Sequence, residues 1–318
     1  MSPTSEIPVR VIEEKEDEIM RKGLTEVVFI LDRSGSMRGL EADTIGGFNS
    51  MIEKQKKEEG EAYLSTVLFD DKMEVLYDRV PIEKVEPMTD AQYYVRGSTA
   101  LLDAVGGAIH HIGNVHKYAR NEDVPEKTLF IITTDGMENA SMHYTYEKVR
   151  KMVERQKTRY HWEFVFLGAN IDAVDVARRF GVSKNRAVRF ENDSMGAEMN
   201  YKAMSSIVSC ARSAPTSLEL GCALDSSKAL EEIREDYEEY VACSKIPDDF
   251  ILLSVDEIEA IKKAYNDLTD REQYVARIIF GINGNDVHRV SEIAKQMHTS
   301  DGRVRQIVAR IKRKAKIA

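Results

Sequence analysis

The chain has 318 residues, 42% hydrophobic and 31% charged, enough for one full α/β domain and a second, smaller unit. No apolar run approaches bilayer-crossing length, and Met1 to Arg10 lack a basic segment leading into an apolar one, which argues against a membrane anchor and a secretory signal. Three cysteines (Cys210, Cys222, Cys243) without CxxC spacing speak against a disulfide framework or structural zinc and for a reducing cytoplasm, and the net charge of -9 conceals an uneven distribution along the chain.

From Thr25 to Phe190 strand and helix signals alternate, the pattern of a mainly parallel sheet with helices on both faces. Thr25–Leu31 is a continuous β-branched and apolar run, as a strand buried on both sides requires. A helical period follows over Ala42–Lys57, then a strand at Ala62–Phe69. Lys72–Val80 reads as a half-buried edge strand, antiparallel because the Asp70-Asp71 turn joins it directly to its neighbour. Helices are expected over Leu101–Tyr118, Tyr144–Lys157, Ala173–Phe180 and Glu198–Arg212. They alternate with strands at Thr128–Thr134, Trp162–Leu167 and Ala187–Phe190. Pro215-Thr216-Ser217 opens a less regular stretch. Residues 225–267 are acidic and helical in pattern, with a break at Pro247, and read as a connector.

Leu268 begins a different composition. From there to the end 11 Lys+Arg face 5 Asp+Glu, a net of +6, while the preceding chain holds 34 basic and 49 acidic residues, a net of -15. A divalent cation suits the acidic body and a polyanion the basic tail. Thr269 with Glu272 makes a capping-box start for a helix through Phe280, which Gly281 ends. Val290–Met297 is a short amphipathic helix. A turn at His298-Thr299 leads to Ser300, a good N-cap, and to a basic helix over Asp301–Lys316. Two helices joined so tightly, the second basic, form a helix-turn-helix. The expected division is thus an N-terminal extension (1–23), an α/β domain (24–212), an acidic connector (213–267) and a helix-turn-helix (268–318).

The chemistry-bearing residues of the α/β domain fall at the carboxyl ends of its buried strands, where open sheets place ligands. Asp32-Arg33-Ser34-Gly35-Ser36 follows the first strand, Thr99 precedes a helix, and Asp135 ends another strand. Two carboxylates and three hydroxyls are hard oxygen donors that suit Mg2+, with Mn2+ or Ca2+ as alternatives. Asp-x-Ser-x-Ser alone is most often a turn, and Thr99 and Asp135 are what turn it towards metal. Asp70-Asp71 reads as a hairpin turn, Glu138 and Asn139 as rim or cap residues of the next helix, and His110 and His111 as structural.

These five residues resemble the adhesion site of the von Willebrand factor A family, whose pattern is Asp-x-Ser-x-Ser, then Thr, then Asp; here they are Asp32, Ser34, Ser36, Thr99 and Asp135. The segment Phe166-Leu167-Gly168-Ala169-Asn170 with Asp172-Ala173 is similar to a turn of bacterial members, and the resemblance spans roughly 24–212. It implies a doubly wound sheet. It also implies Ser34, Ser36 and Thr99 on the ion, Asp32 and Asp135 holding it through waters, and an open position for a partner protein's carboxylate.

Residues 268–316 resemble region four of bacterial primary sigma factors through Leu268, Thr269, Arg271, Glu272, Val275, Phe280, Gly281, Glu292, Ile293 and Ala294, and in the last helix through Arg303, Val304, Arg305, Gln306, Ile307, Ala309 and Arg310. The resemblance implies contact with promoter DNA or RNA polymerase, with Ser300, Arg303, Arg305, Gln306, Arg310 and Arg313 as the DNA-facing set. Where that family usually carries Arg-Glu at the start of the recognition helix, this chain has Asp301-Gly302. A helix-turn-helix that docks protein instead of DNA is the alternative. No paired base, nucleophile or cofactor fingerprint stands near the strand ends, so a binding protein is expected and not an enzyme.

Overall fold

The first strand shows why the sheet forms. In β1 (Arg21–Asp32) every residue from Leu24 onward is buried, and alternate side chains enter two separate apolar layers. Val27, Phe29 and Leu31 join one layer, and Val28 and Ile30 join the other. A strand buried on both faces must be central, and β1 is paired in parallel with β2 (Ala62–Phe69) on one side and β4 (Pro125–Thr134) on the other. The computed structural model describes residues 20–169, 172–245, 251, 253–282 and 287–317. Residues 1–19 of the expected N-terminal extension, Asn170 of the family-like turn and the expected break at Pro247 lie outside the described residues.

Among the described residues the sheet has six strands in the order β3-β2-β1-β4-β5-β6, with β3 (Met73–Pro81), β5 (Glu163–Ala169) and β6 (Ala187–Phe190) completing it. Only β3 is antiparallel, held at the edge by its short connection to β2, as the turn chemistry of Asp70-Asp71 requires. This is the doubly wound α/β architecture expected from the sequence. Helices α2 (Leu101–Tyr118), α3 (Tyr146–Tyr160) and α4 (Ala173–Arg179) cover one face. The other is covered by α1 (Glu41–Gln55) and α5 (Ser194–Ser213). Because the chain leaves β1 towards β2 and later returns to β4 on the far side, the loops after β1 and β4 diverge and open a crevice between them.

Several boundaries differ from the sequence pattern. Strand β1 starts at Arg21, four residues early, with a register shift against β4 where Gly23 takes a φ of 78°. Helix α5 starts at Ser194 instead of Glu198, because Asp193 caps it by accepting a hydrogen bond from the Gly196 amide at 2.7 Å.

The stretch opened by Pro215 is regular. Thr216 caps α6 (Ser217–Ser226), which leads into α7 (Ala229–Ser244). Leu220, Leu224, Leu230 and Ile233 from these two helices sit in the same apolar layer as Phe29 and Leu31, so the first half of the expected connector is packed on the sheet. Helix α8 (Val255–Ala264) belongs instead to a separate cluster with α9 (Asp270–Phe280), α10 (Val290–Gln296) and α11 (Asp301–Lys314). The reciprocal Thr269–Glu272 capping box and a left-handed Gly281 bound α9, as its sequence signals specify. No helix among the described residues is long and apolar enough to cross a membrane.

Candidate metal centre and the basic face of α11

Asp32 ends β1 and Asp135 follows the last residue of β4, so the crevice receives one carboxylate from each wall. Both are almost fully buried, at 1% and 3% exposure. The Ser34 amide donates to Asp32 Oδ1 at 2.7 Å, which curls the loop so that Ser34 Oγ and Ser36 Oγ lie 3.0 Å apart. Ser36 Oγ donates to Asp135 Oδ1 at 2.5 Å, and Thr134 Oγ1 donates to Asp32 Oδ2 at 2.5 Å. Thr99 arrives from the third segment. A Cβ added to Gly136 would lie 2.7 Å from Thr99 Oγ1 and 3.1 Å from Ser36 Oγ, so glycine there leaves room for the two hydroxyls to approach. The structure thus brings Asp32, Ser34, Ser36, Thr99 and Asp135 to one crevice.

Residues outside the expected ligand set fasten these loops. Arg33, inside the Asp-x-Ser-x-Ser segment, is fully buried. Its Nε donates to Asp70 Oδ2 at 2.7 Å and its Nη2 to Glu74 Oε2 at 2.7 Å. Arg96, on the Thr99 loop, donates to the same Asp70 oxygen at 2.7 Å, so one carboxylate ties both loops together. Burial alone would raise Asp70, but hydrogen bonds from Arg96, Asp71, Lys72 and Arg33 outweigh it and hold the acid below its ordinary value. The Asp70-Asp71 turn expected from sequence is therefore also a support for the site.

Gly97 must be glycine on two counts: its φ is 68°, and a Cβ would meet Asp71 Oδ1 at 2.5 Å. Glu138 caps the preceding helix α2, accepting from the Leu102 amide at 2.8 Å, and Asn139 accepts from the Thr99 amide at 2.9 Å. The expectation that they cap the next helix gives way here, since Thr145 caps α3. Asn192 carries no signal in the sequence, yet its Nδ2 donates to Asp135 Oδ2 at 2.8 Å. His111 pairs with Asp78 at 2.8 Å, away from the crevice.

The donor set fits a hard divalent cation. Burial raises Asp32 above its ordinary value against the hydrogen bonds from Thr134 and Ser34. Burial, helped by the charge of Asp32, raises Asp135 to about 6 despite hydrogen bonds from Ser36 and Asn192. Among the described residues neither carboxylate forms a salt bridge with a basic side chain, so two buried acids face each other without a positive partner. Nor do three His, Cys, Asp or Glu side chains gather anywhere among the described residues to hold a metal. An ion at the crevice would rely on hydroxyls and waters as well as carboxylates, the chemistry Mg2+ prefers.

The six residues expected to face DNA occupy a different setting from an open groove-reading face. Ser300 caps α11 through the Arg303 amide at 3.3 Å, and its Oγ reaches Tyr240 Oη at 3.2 Å. Arg303 is 1% exposed, Arg305 8% and Gln306 0%. Arg303 pairs with Asp193 at 3.0 Å and with Asp236 at 2.9 Å. Gln306 donates to Asp236 Oδ1 at 2.8 Å and Glu239 Oε2 at 3.2 Å. Arg310 pairs with Asp236 and Glu239, and Arg313 with Glu239 at 2.7 Å. Five of the six side chains expected to face DNA thus bond directly to α7 of the acidic segment.

No protein-family model matches the sequence, and comparison with curated proteins gives no match. Solved structures similar to the chain include proximal thread matrix protein 1 from the mussel byssus, at 15% identity over 61% of this chain and 47% of that one, with a TM-score of 0.41. A von Willebrand factor type A protein from Catenulispora acidiphila matches at 12% identity over 58% of this chain and 42% of its own, with a TM-score of 0.39. The ArnB paralog VWA2 from Sulfolobus acidocaldarius matches at 15% identity over 59% and 45%, with a TM-score of 0.38. The chain spans under half the length of each of these three structures.

Proposed function

We propose that the chain is a cytoplasmic binding protein, not an enzyme. It would hold Mg2+, or Mn2+ or Ca2+, at Asp32, Ser34, Ser36, Thr99 and Asp135, and through the ion capture a carboxylate of a partner protein. The observation that carries this reading is the meeting of two buried carboxylates, paired with no basic side chain among the described residues, and three hydroxyls at the crevice between β1 and β4. With few protein charges against it, such an ion keeps an affinity for an external anion. In this reading the helix-turn-helix adds a second binding activity, towards promoter DNA or RNA polymerase, and makes the protein a regulator of transcription.

The test is capture of partner proteins from lysate with and without EDTA, using the wild type, Asp32→Ala and Thr99→Ala. Loss of capture with EDTA and in both variants is expected, with the thermal unfolding transition retained. Capture that survives all three treatments removes the adhesive reading.

A second reading is that the helix-turn-helix docks protein and not DNA. It is favoured by α7 lying across the basic residues of α11. A mobility-shift titration over a range of salt separates the two, since phosphate contacts weaken steeply as salt rises.

A further inference from the structure

Helix α11 carries two stripes. Val304, Ile307, Val308 and Ile311 enter the apolar cluster shared with α9 and α10. Arg303, Gln306, Arg310 and Arg313 form the other stripe, at helical spacings of three and four residues. In a helix-turn-helix the stripe pointing away from the domain core is the one that enters a groove. Here Asp236 and Glu239 of α7, with Asp193 from the loop before α5, lie along that stripe, so three carboxylates meet three guanidinium groups. Each acid accepts from the basic side chains much as a phosphate oxygen would, and the Tyr240 ring lies 5.2 Å from the Arg303 guanidinium.

The fit is also steric. A Cβ on Gly302 would fall 1.9 Å from Ser244 Oγ and 3.1 Å from Ser244 Cα, so the end of α7 reaches the start of α11 only if residue 302 has no side chain. The family that α11 resembles carries a long side chain at that position; glycine here is what close seating of α7 demands. The departure from the pattern and the acidic stripe are independent features of the sequence, and both serve the same contact.

We infer that α7 acts as a phosphate-backbone mimic in cis, closing the reading face of the helix-turn-helix, and that separation of α7 from α11 frees the face for nucleic acid. This rests on the reading of α11 as a phosphate-binding helix. The other face of α7 is fixed to the sheet through Leu230 and Ile233, so opening displaces the helix-turn-helix from a stationary α7. Because a closed face lowers apparent affinity by the fraction of molecules that are open, removing the clasp raises DNA affinity about tenfold or more where closed molecules outnumber open ones by that ratio.

Two full-length variants test this by different routes. Asp236→Asn with Glu239→Gln removes the charges while keeping the volume, and Gly302→Gln keeps every charge but forces the helices apart. Hydrogen exchange is read by mass spectrometry in peptides covering 301–314, with β1 and β4 peptides reporting the integrity of the sheet. Binding to a fluorescein-labelled random-sequence DNA duplex is read by anisotropy at low and high salt. Faster exchange in α11 with an unchanged sheet, together with tighter and salt-sensitive DNA binding in both variants, is the expected result. Unchanged exchange in α11 in both variants overturns the clasp. Faster exchange without any gain in DNA binding overturns the masking of a nucleic-acid face, and does so through the phosphate-binding reading on which it rests.

Discussion

Asp135 sits where burial and function pull in opposite directions. Its folded value of about 6 lies above the ordinary 3.8, so without a cation the folded protein keeps this acid protonated at pH values up to about 6. The sign follows: in the metal-free protein this group's contribution to stability is present below pH 4 and is lost as pH rises towards 6. A divalent cation selects the ionised form and must displace the proton. Mg2+ affinity should therefore fall about tenfold for each pH unit below about 6 and level off above it. Calorimetry at pH 5 and pH 7, in buffers of different ionisation enthalpy, measures both the affinity and the protons released. Affinity that is flat between those values would place Asp135 outside the ion's surroundings.

Arg33 poses a second question at the same scale. It and Asp70 are both fully enclosed, and without Arg33 the buried Asp70 carboxylate keeps Arg96, a half-exposed side chain, as its one charged partner among the described residues. Arg33→Met is expected to cost about 1.5 to 3 kcal/mol in a urea titration, the loss of a charge-assisted hydrogen bond to a carboxylate that Arg96 still neutralises in part. A loss under about 1 kcal/mol would mean that Arg96 alone suffices to hold Asp70.

At the scale of elements, neighbouring glycines of α1 should respond with opposite signs. Gly46 has open space where a Cβ would go, whereas at Gly47 a Cβ would fall 2.4 Å from the Tyr201 ring of α5. Gly46→Ala is expected to stabilise by about 0.5 to 1 kcal/mol through helix propensity. Gly47→Ala should lose more than that by pushing α5 off α1, and paired thermal melts decide the matter. The contrast also marks the limit of what the sequence discloses. Apolar period and turn chemistry located every strand of the sheet, because burial on two faces leaves a continuous β-branched run such as Thr25–Leu31. The five oxygen-bearing residues were legible because each stands at a strand end or loop where topology brings it to one crevice. Arg33, Asp70 and Asn192 were not, since an arginine between two turn residues or an asparagine after a short strand has no local signature of its partner. Helix α7 was legible as a helix but not as a wall of the core. Its acidic residues suggested a solvated face, while Leu230 and Ile233 were too few to reveal a buried one. Periodicity reports that a side has a partner and is silent on which partner.

For the molecule as a whole, the decisive feature is that two adjacent residues serve different sites. Asn192 donates to Asp135 in the crevice, and Asp193 accepts from Arg303 and, at 3.1 Å, from Thr299 Oγ1, which precedes α11. Asp193 also caps α5, and one peptide unit separates it from Asn192, the route by which a displacement at one is expected to reach the other. A cation bound beside Ser36, as proposed, would compete for the carboxylate to which Asn192 is bonded, and a two-site coupling carried this way would fall in the usual range of about 1 to 3 kcal/mol. The expected outcome is that saturating Mg2+ speeds hydrogen exchange in peptides covering 301–314, about fivefold or more. Asn192→Ala should abolish the response while calorimetry still finds Mg2+ bound. Linkage then requires the converse: the charge-neutral clasp variant, Asp236→Asn with Glu239→Gln, should bind Mg2+ more tightly than the wild type by the same factor, because its α11 is already released. Equal exchange with and without Mg2+ in the wild type would leave the crevice and the basic helix as two independent activities that share a chain.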